Sequence, residues 1–583
     1  MPWQRSASNA DFTPSSQRLT LPPLQEQLQL INDFFRHIHP LPTASFLNEV
    51  LITQRCLEGA LDEALLCSIC SLSAMVLKYA KYYPDRTALW IQEAESMIWQ
   101  NIEDPSIART QALALIVFYR METGYFKKAY MLLSLASRFA SALRLHYERV
   151  DLDHLSQEIR RRLMWSLTMM DSYFSSGLPE VETCPSDNLY LKLPCREEHF
   201  HADASDTPHL SDMTALDGVQ EDGLLDLYIR QSIVRRDIMR LSRQVMIQSQ
   251  PMPQLVDIVE ELTKTISSAR PPEYSLQELR RYAKSRWLTR FVLVQLSWDQ
   301  CHCDLLRLFL TGYKEAAPDV VVASCPPEYI AKSATLCLEH AQKIIEVLLD
   351  LDSPQVNLVL QPLDIGICGY HAARLVLFLS RSNILPSDKN MTPEAADITA
   401  VKVLDFLKRS YGDAAIMKHT IEDLEQIIQA QAHGTPAQPK DSSDEEETGE
   451  GHHPRFAAAI QRHKTLGIHS MLRRAGFKDN TSMSRAQAAT PAHGISGRQT
   501  TQETSSTSDG GQVPTPGFFG DSNQPFVGYP AVADYAMDSA SLLTLGPETG
   551  GFGGGGDFTM EPMSSGTWDS WAGWCWPHDP STG

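Results

Sequence analysis

Between residues 21 and 432 the chain has little glycine and almost no alternation of apolar and polar residues. Period-two alternation marks a half-buried strand, so its scarcity argues against a β-architecture. Basic charge is also short: 51 Lys and Arg stand against 71 Asp and Glu, a net charge of −20. A protein that grips nucleic acid electrostatically needs Lys and Arg to displace counterions. The chain as a whole is therefore repelled by DNA, and only a local patch can touch it. No apolar run has the length of a membrane helix. The nearest, "NLVLQPLDIGICGYHAARLVLFLS", is broken by Pro362, Asp364, His371 and Arg374, so no membrane partner is expected. The start, "MPWQRSASNADFTPSSQ", lacks the apolar core of a secretory signal. The cysteines number eleven, an odd count, and most sit in apolar surroundings. They read as reduced intracellular thiols.

Catalytic signatures are missing too. There is no phosphate loop, no Gly-x-Ser-x-Gly and no His-Glu-x-x-His. A terpene cyclase would be an all-helical enzyme, but its Asp-Asp-x-x-Asp pattern is absent from the helical segments. The acid run Asp444 to Glu447 lies in a linker, where it reads as solvated charge. His37 and His39 flank an apolar helix end and read as structural. These absences argue against an enzyme.

What remains is helix after helix. With 583 residues and 43% hydrophobic content, the chain can bury a large core. The spacing predicts a helix that follows the prolines of "LPPLQEQLQLINDFFRHIHP" and stops at His39-Pro40, another over "ALWIQEAESMIWQNI", and further helices near 62–80, 106–122, 125–144, 223–248, 254–268, 275–314, 326–351, 360–381, 392–410 and 413–432. The 275–314 stretch is long enough to be two helices. Ala129, Leu133, Ala136, Ala140 and Leu143 form one stripe at helical spacing. The short turn at Gly124 pairs this helix with its predecessor as an antiparallel hairpin.

The stretch "SQEIRRRLMWSLTMMDSYFSSGLP" places three arginines beside a tryptophan. Leu155, Ile159, Leu163, Ser166, Met170 and Phe174 fall on one face of a helix, which Gly177 and Pro179 terminate. Three consecutive helical residues fan across some 200° and cannot all face one groove. Arg160, Arg161, Arg162 and Trp165 are therefore read as scaffold rather than as a DNA contact. On the helical wheel Arg160 points outward. Arg161 lies one turn before Trp165, where a guanidinium can stack on the indole. Arg162 borders the apolar stripe and is expected to meet a buried carboxylate or carbonyl.

Composition changes at residue 432. "HGTPAQPKDSSDEEETGEGHH" reads as a disordered linker. A short basic helix is expected at 455–478, with Arg455, Arg462, Lys464, Arg473, Arg474 and Lys478 as candidate nuclear import residues; the competing reading is a solvated face that neutralises the linker. Residues 516–583 hold Asp and Glu but no Lys or Arg, interleaved with aromatics that include Trp568, Trp571, Trp574 and Trp576. That pattern fits a disordered activation segment that folds into a coactivator groove, and also a tail without function. The expected organisation is a disordered segment at 1–20 and a helical domain at 21–432. A disordered linker at 433–515 and an acidic-aromatic tail at 516–583 follow.

Three stretches, "NDFFRHIHPLPTASFLNE", "TQALALIVFYRMETGYFKKAYMLLSLASRFASALRLH" and "LSQEIRRRLMWSLTMMDSYFSSGLPEVETCPSDNLYLKLP", occur in an order that resembles the regulatory, or middle homology, domain of fungal-specific transcription factors of the zinc-cluster family. "WDQCHCDLLRLFLTGY" and "QPLDIGICGYHAARLVLF" resemble later parts, and the likeness covers about residues 25–410. It implies an all-α domain that regulates a DNA-binding transcription factor, with the triple-arginine helix as scaffold. It further implies a nuclear protein, DNA and the transcription machinery or coactivators as partners, and homo- or heterodimers. Zinc binding is implied through a cysteine cluster or finger near the N-terminus. That cluster needs two Cys-x2-Cys pairs, each followed by a further Cys, and here Cys67 and Cys70 alone have the spacing. They sit on an apolar helix, where buried thiols are the ordinary outcome. Cys301 and Cys303, around His302, diverge by about 200° on a helix and cannot close one tetrahedral site. No cofactor is expected within these residues; zinc would belong to an upstream cluster. The second reading is a finger-less helical scaffold that binds other transcription factors.

Overall fold

A computed structural model describes residues 21–432 apart from 78–85, 201–222, 354–355, 357, 359–360, 386–390 and 413. The described residues form sixteen α-helices and no strand. One isolated parallel bridge joins Tyr147 to Tyr190. The first seven helices are α1 (Leu24–His37), α2 (Glu49–Leu57), α3 (Glu63–Val76), α4 (Arg86–Gln100), α5 (Ile107–Glu122), α6 (Phe126–Ala142) and α7 (His154–Ser175). The remainder are α8 (Leu224–Val245), α9 (Leu255–Ser268), α10 (Leu276–Tyr282), α11 (Leu288–Leu306), α12 (Asp319–Val322), α13 (Pro327–Leu351), α14 (Leu363–Leu379), α15 (Pro393–Tyr411) and α16 (Ala415–Ala432). The long 275–314 stretch is two helices, α10 and α11, and it ends in a short turn. The spacing gave no sign of α2 or of the single turn α12.

Local chemistry sets the helix ends. The side chains of Asn48, Asp62, Ser106, Asp153, Ser275 and Thr392 each accept from a backbone N–H in the first turn of the helix they precede. Each thereby satisfies one of the donors that a helix start leaves free. At the α5–α6 turn Gly124 takes φ +79°, and the N–H of Tyr125 reaches back to the carbonyl of Arg120 at 2.8 Å. This is the left-handed stop that lets α6 fold back on α5. Of the stripe on α6, Ala129, Leu133, Ala136 and Ala140 are buried, joined by Leu132 and Phe139.

Two groups of helices share the core. In the first, α3 packs against α1, α4 and α5, and α5 packs against α6. In the second, α11 is the axis, with α8, α13 and α14 around it, and α15 and α16 layered on α14. One apolar cluster runs through both groups, from Leu30 to Leu424. A smaller one lies between α8, α9 and the end of α11. A helix apolar on every side belongs at the centre of a fold. α11 is buried on every side yet carries Arg290, Gln295, Asp299, Gln300, His302 and Asp304. Its polar groups must therefore be met inside the protein.

α7 ends with Ser176 at φ +47° and Gly177 at φ +81°. At Gly177 the chain crosses α8 so closely that a Cβ would lie 2.6 Å from the carbonyl carbon of Met239 and 2.7 Å from the N of Arg240. Both atoms are backbone and cannot rotate away. Gly177→Ala is therefore expected to lower stability by about 1–3 kcal/mol, through the left-handed φ and through separation of α7 from α8. Chemical denaturation of the two proteins measures it. At Gly124 a Cβ meets nothing within 4 Å, so Gly124→Ala, with φ strain alone, should cost less.

Candidate functional site

The triple-arginine helix is buried nearly all round. From Gln157 to Asp171 every residue of α7 is inside, so the single apolar stripe read from the sequence is too narrow. The charged face is covered as well, because each guanidinium has partners.

Arg160 does not point outward. It is buried, and its Nη2 donates to the carbonyl of Leu143 at 2.6 Å. Leu143 caps the C-terminus of α6, where carbonyls lack helical partners and a cation is favoured. Arg161 does not spend its charge on Trp165. Its Nε and Nη2 grip the two oxygens of Glu148, each at 2.9 Å, and Nη1 meets Glu158. Such a two-pronged pair is both stronger and more directional than a single bond. Trp165 is buried and donates its Nε1–H to the carbonyl of Lys192 at 2.9 Å.

Arg162 is the most engaged of the three. Nε donates to Glu158 at 2.8 Å, Nη1 to Glu197 at 2.9 Å and Nη2 to the carbonyl of Cys195 at 2.8 Å. Its guanidinium carbon lies 3.9 Å from the centre of the Phe200 ring. Glu197 is shared. Its other oxygen accepts from Nη1 of Arg290, on α11, at 2.5 Å. Arg290 in turn donates Nε–H to the carbonyl of Pro40 at 2.8 Å, and Nη2 to the hydroxyl of Ser45. One buried junction thus ties the His-Pro turn after α1, α7, the 195–200 segment and α11.

Burial alone would raise the carboxyl of Glu197, but Arg162 and Arg290 together hold it well below the usual carboxylate range. Burial alone would lower the pKa of Arg162, and Glu197 and Glu158 hold it up instead. His39 lies against the same junction. Burial pushes its pKa down to about 3, Glu197 offsetting part of this and the neighbouring arginines adding to it. It is neutral and structural, with Nε2 3.1 Å from the carbonyl of Leu47.

The two cysteine pairs singled out in the sequence are buried. Cys67 and Cys70 are buried on α3, and burial pushes the Cys67 thiol up to about 12. A zinc ligand has to be a thiolate, which this setting disfavours. Cys301 and Cys303 enter different clusters. Cys301 faces the carbonyl of Gln231 and Cys303 that of Cys337. Their divergence on the helix is realised, and no group of three metal-ligating side chains occurs among the described residues. The candidate import residues Arg455, Arg462, Lys464, Arg473, Arg474 and Lys478, and the tryptophans 568, 571, 574 and 576, lie outside the described residues, as do the linker and both tails. Glu197 and Arg290 went unseen in the sequence. Glu158 was visible in principle, three and four residues before Arg161 and Arg162 on one helix.

With this geometry in place, residues 31–293 match the family described as fungal specific transcription factor domain. A Zn(2)-C6 fungal-type transcription factor, FTF1c, of Fusarium oxysporum f. sp. lycopersici is 24% identical over 196 residues, 31% of this chain and 21% of that protein. An uncharacterized transcriptional regulatory protein of Schizosaccharomyces pombe is 24% identical over 216 residues, 34% of this chain and 22% of its own length. A further Fusarium factor, FTF2, is 23% identical over 190 residues, 30% of this chain and 18% of its own. The matched part is about a fifth of the length of these relatives.

Removing Arg162 leaves Glu158 and Glu197 buried with one partner fewer. Arg162→Met is therefore expected to cost about 3–5 kcal/mol, read as a lowered denaturation midpoint. Arg138→Met, on the exposed side of α6, should stay within about 0.5 kcal/mol. Stability should also fall as the solution is acidified. His39, His302 and His371 are all pushed down to about 3, first of all by burial. Between about 3 and the ordinary value of 6.5 the unfolded chain binds protons that the folded chain refuses. Stability is thus full above 6.5 and is lost as pH falls below it. At pH 5, His302→Gln should flatten the dependence by about 1.4 kcal/mol per pH unit. A slope that is unchanged in that variant would contradict the assignment.

Proposed function

We propose that this chain, which carries a fungal specific transcription factor domain over residues 31–293, is a fungal transcription regulator whose helical body is the regulatory part of a DNA-binding RNA polymerase II factor. One observation carries most weight: the arginines of the triple run are consumed inside the body, by Glu148, Glu158, Glu197 and the end of α6. The triple-arginine run is scaffold on this reading, and the helical body supplies a regulatory surface. The net charge of −20 supports the same division.

DNA contact, on this reading, comes through zinc held by residues other than Cys67, Cys70, Cys301 and Cys303. The proposed place of action is the nucleus, with Arg455, Arg462, Lys464, Arg473, Arg474 and Lys478 directing import. Trp568, Trp571, Trp574 and Trp576 would engage a coactivator. The body would act by binding, without catalysis. The competing reading is a co-regulator that reaches promoters through another factor. It draws on the raised thiol of Cys67 and the divergent cysteines of α11.

The test is to express the tagged full chain, follow its location and map its promoter occupancy. Nuclear accumulation with occupancy that survives loss of any partner factor supports the DNA-binding reading. Occupancy that vanishes with a partner favours the co-regulator. A chain that never enters the nucleus removes both. Neutralising the six basic residues should abolish nuclear accumulation, and an unchanged nuclear signal would remove their assignment.

A further inference from the structure

One side of α6 is exposed, and its chemistry runs against that of the chain. From Thr123 to Tyr147 there is no Asp or Glu, although the whole chain carries a net charge of −20. α6 itself holds Lys127, Lys128 and Arg138 and no acid. Helical geometry puts Lys128, Met131, Leu135, Arg138 and Ala142 on one stripe, at steps of three and four residues, within an arc of about 80°. Lys128, Met131, Arg138 and Ala142 are exposed, and Leu135 is half-buried. Met131 is 66% exposed, and among the large apolar side chains described Val150 alone exceeds it. The inner side of α6, with Ala129, Leu133, Ala136 and Ala140, is buried, and the helix packs on α5 and α7. Met131 and Leu135 therefore make a second apolar strip that the core does not use.

The positive charge of the stripe is not cancelled within the body. Lys128 meets Glu95, but Arg120 holds the same carboxylate at 2.7 Å, so two cations share one anion. Arg138 forms no ion pair among the described residues. At 1.5 Å per residue, Lys128 and Arg138 stand about 15 Å apart along the axis, with Met131 and Leu135 between them. The exposed surface is thus a short apolar strip with a cation at each end.

Charge selects among the occupants of such a strip. The same face of a second copy brings no acid, so Lys128 and Arg138 would meet like charges across the contact. A nucleic-acid backbone would suit the two cations but lay phosphates over Met131 and Leu135. A bilayer takes up helices with a broad apolar face, whereas here two residues are on offer and the rest of α6 is packed in protein. An acidic helix with an apolar face of its own answers both the charge and the strip.

We propose that the outer stripe of α6 docks an acidic amphipathic helix of a partner protein. Aliphatic side chains of that helix, spaced three or four residues apart, rest on Met131 and Leu135. Carboxylates about three turns apart on it reach Lys128 and Arg138. The contact is one helix wide, which suits a transient partner. The inference goes beyond the transcriptional reading and does not rest on it.

The experiment is fluorescence anisotropy of a labelled peptide titrated with the full chain. The peptide has about 20 residues, enough to form a helix, with leucines at i, i+4 and i+7 and glutamates on either side of them. The controls are the same residues reordered so that the leucines scatter round the helix, a glutamate homopolymer, a DNA duplex and phosphatidylserine vesicles. The net charge of −20 opposes any acidic probe, so binding reports the local face. The amphipathic peptide should bind at least about tenfold more tightly than the reordered peptide or the homopolymer. Arg138→Glu should weaken it about tenfold and Met131→Ser about threefold. Both positions are exposed, so the two variants should keep the native unfolding midpoint. The proposal is overturned if the amphipathic peptide does not bind, if the reordered peptide binds as well, or if both variants bind it like the native chain. Binding of the duplex or of the vesicles that Arg138→Glu abolishes would assign the face to nucleic acid or lipid and overturn it equally.

Discussion

The two guanidiniums on Glu197 are the constraint on which the rest of the helical body depends. A carboxylate buried alone would be driven to take up a proton. Between Arg162 and Arg290 it stays charged, and all three side chains stay inside. Loss of either arginine leaves the buried carboxylate with one counter-charge fewer, and loss of the carboxylate leaves two buried guanidiniums without their shared anion. The three come from α7, from the segment before Phe200 and from α11, so the triad fixes the first group of helices against the second. Apolar packing would favour the same proximity without specifying its register. Charges that must meet within 3 Å specify it.

The same economy repeats along α7. Arg160 closes the end of α6, and Arg161 closes Glu148 and Glu158. Glu148 and Glu158 also accept the backbone N–H groups of Lys192 and Cys195. Beyond the single bridge at Tyr190, the segment 191–196 takes its backbone partners in part from these side chains. A helix with charges on every side becomes the centre of one layer because irregular backbone surrounds it, with donors and acceptors of its own to satisfy.

The sequence made the helices legible and left the junction obscure. Periodicity and glycine stops locate α3, α5, α6 and α7 closely, since those signals are local. α2 was missed because its apolar face is only Ile52 and Cys56, too little to show a period. The outward reading of Arg160 failed because a helical wheel assigns charge to solvent, whereas this guanidinium meets a carbonyl seventeen residues away. Glu197 lies 35 residues from Arg162 and 93 from Arg290, and nothing in one sequence marks such a pairing. Glu158 lay within reach of local reasoning, and Glu197 did not.

The match to the family ends at residue 293, a few residues into α11. That helix is the axis on which α8, α13 and α14 pack. A fragment cut at the limit of recognisable likeness would keep Arg290 and lose the remainder of its helix, baring the apolar faces of α8 that rest on it. The unit that folds is therefore longer than the unit that is recognised. Where kinship is faint, the outline of a domain is better drawn from the helix that everything else touches than from the last residue that still looks familiar.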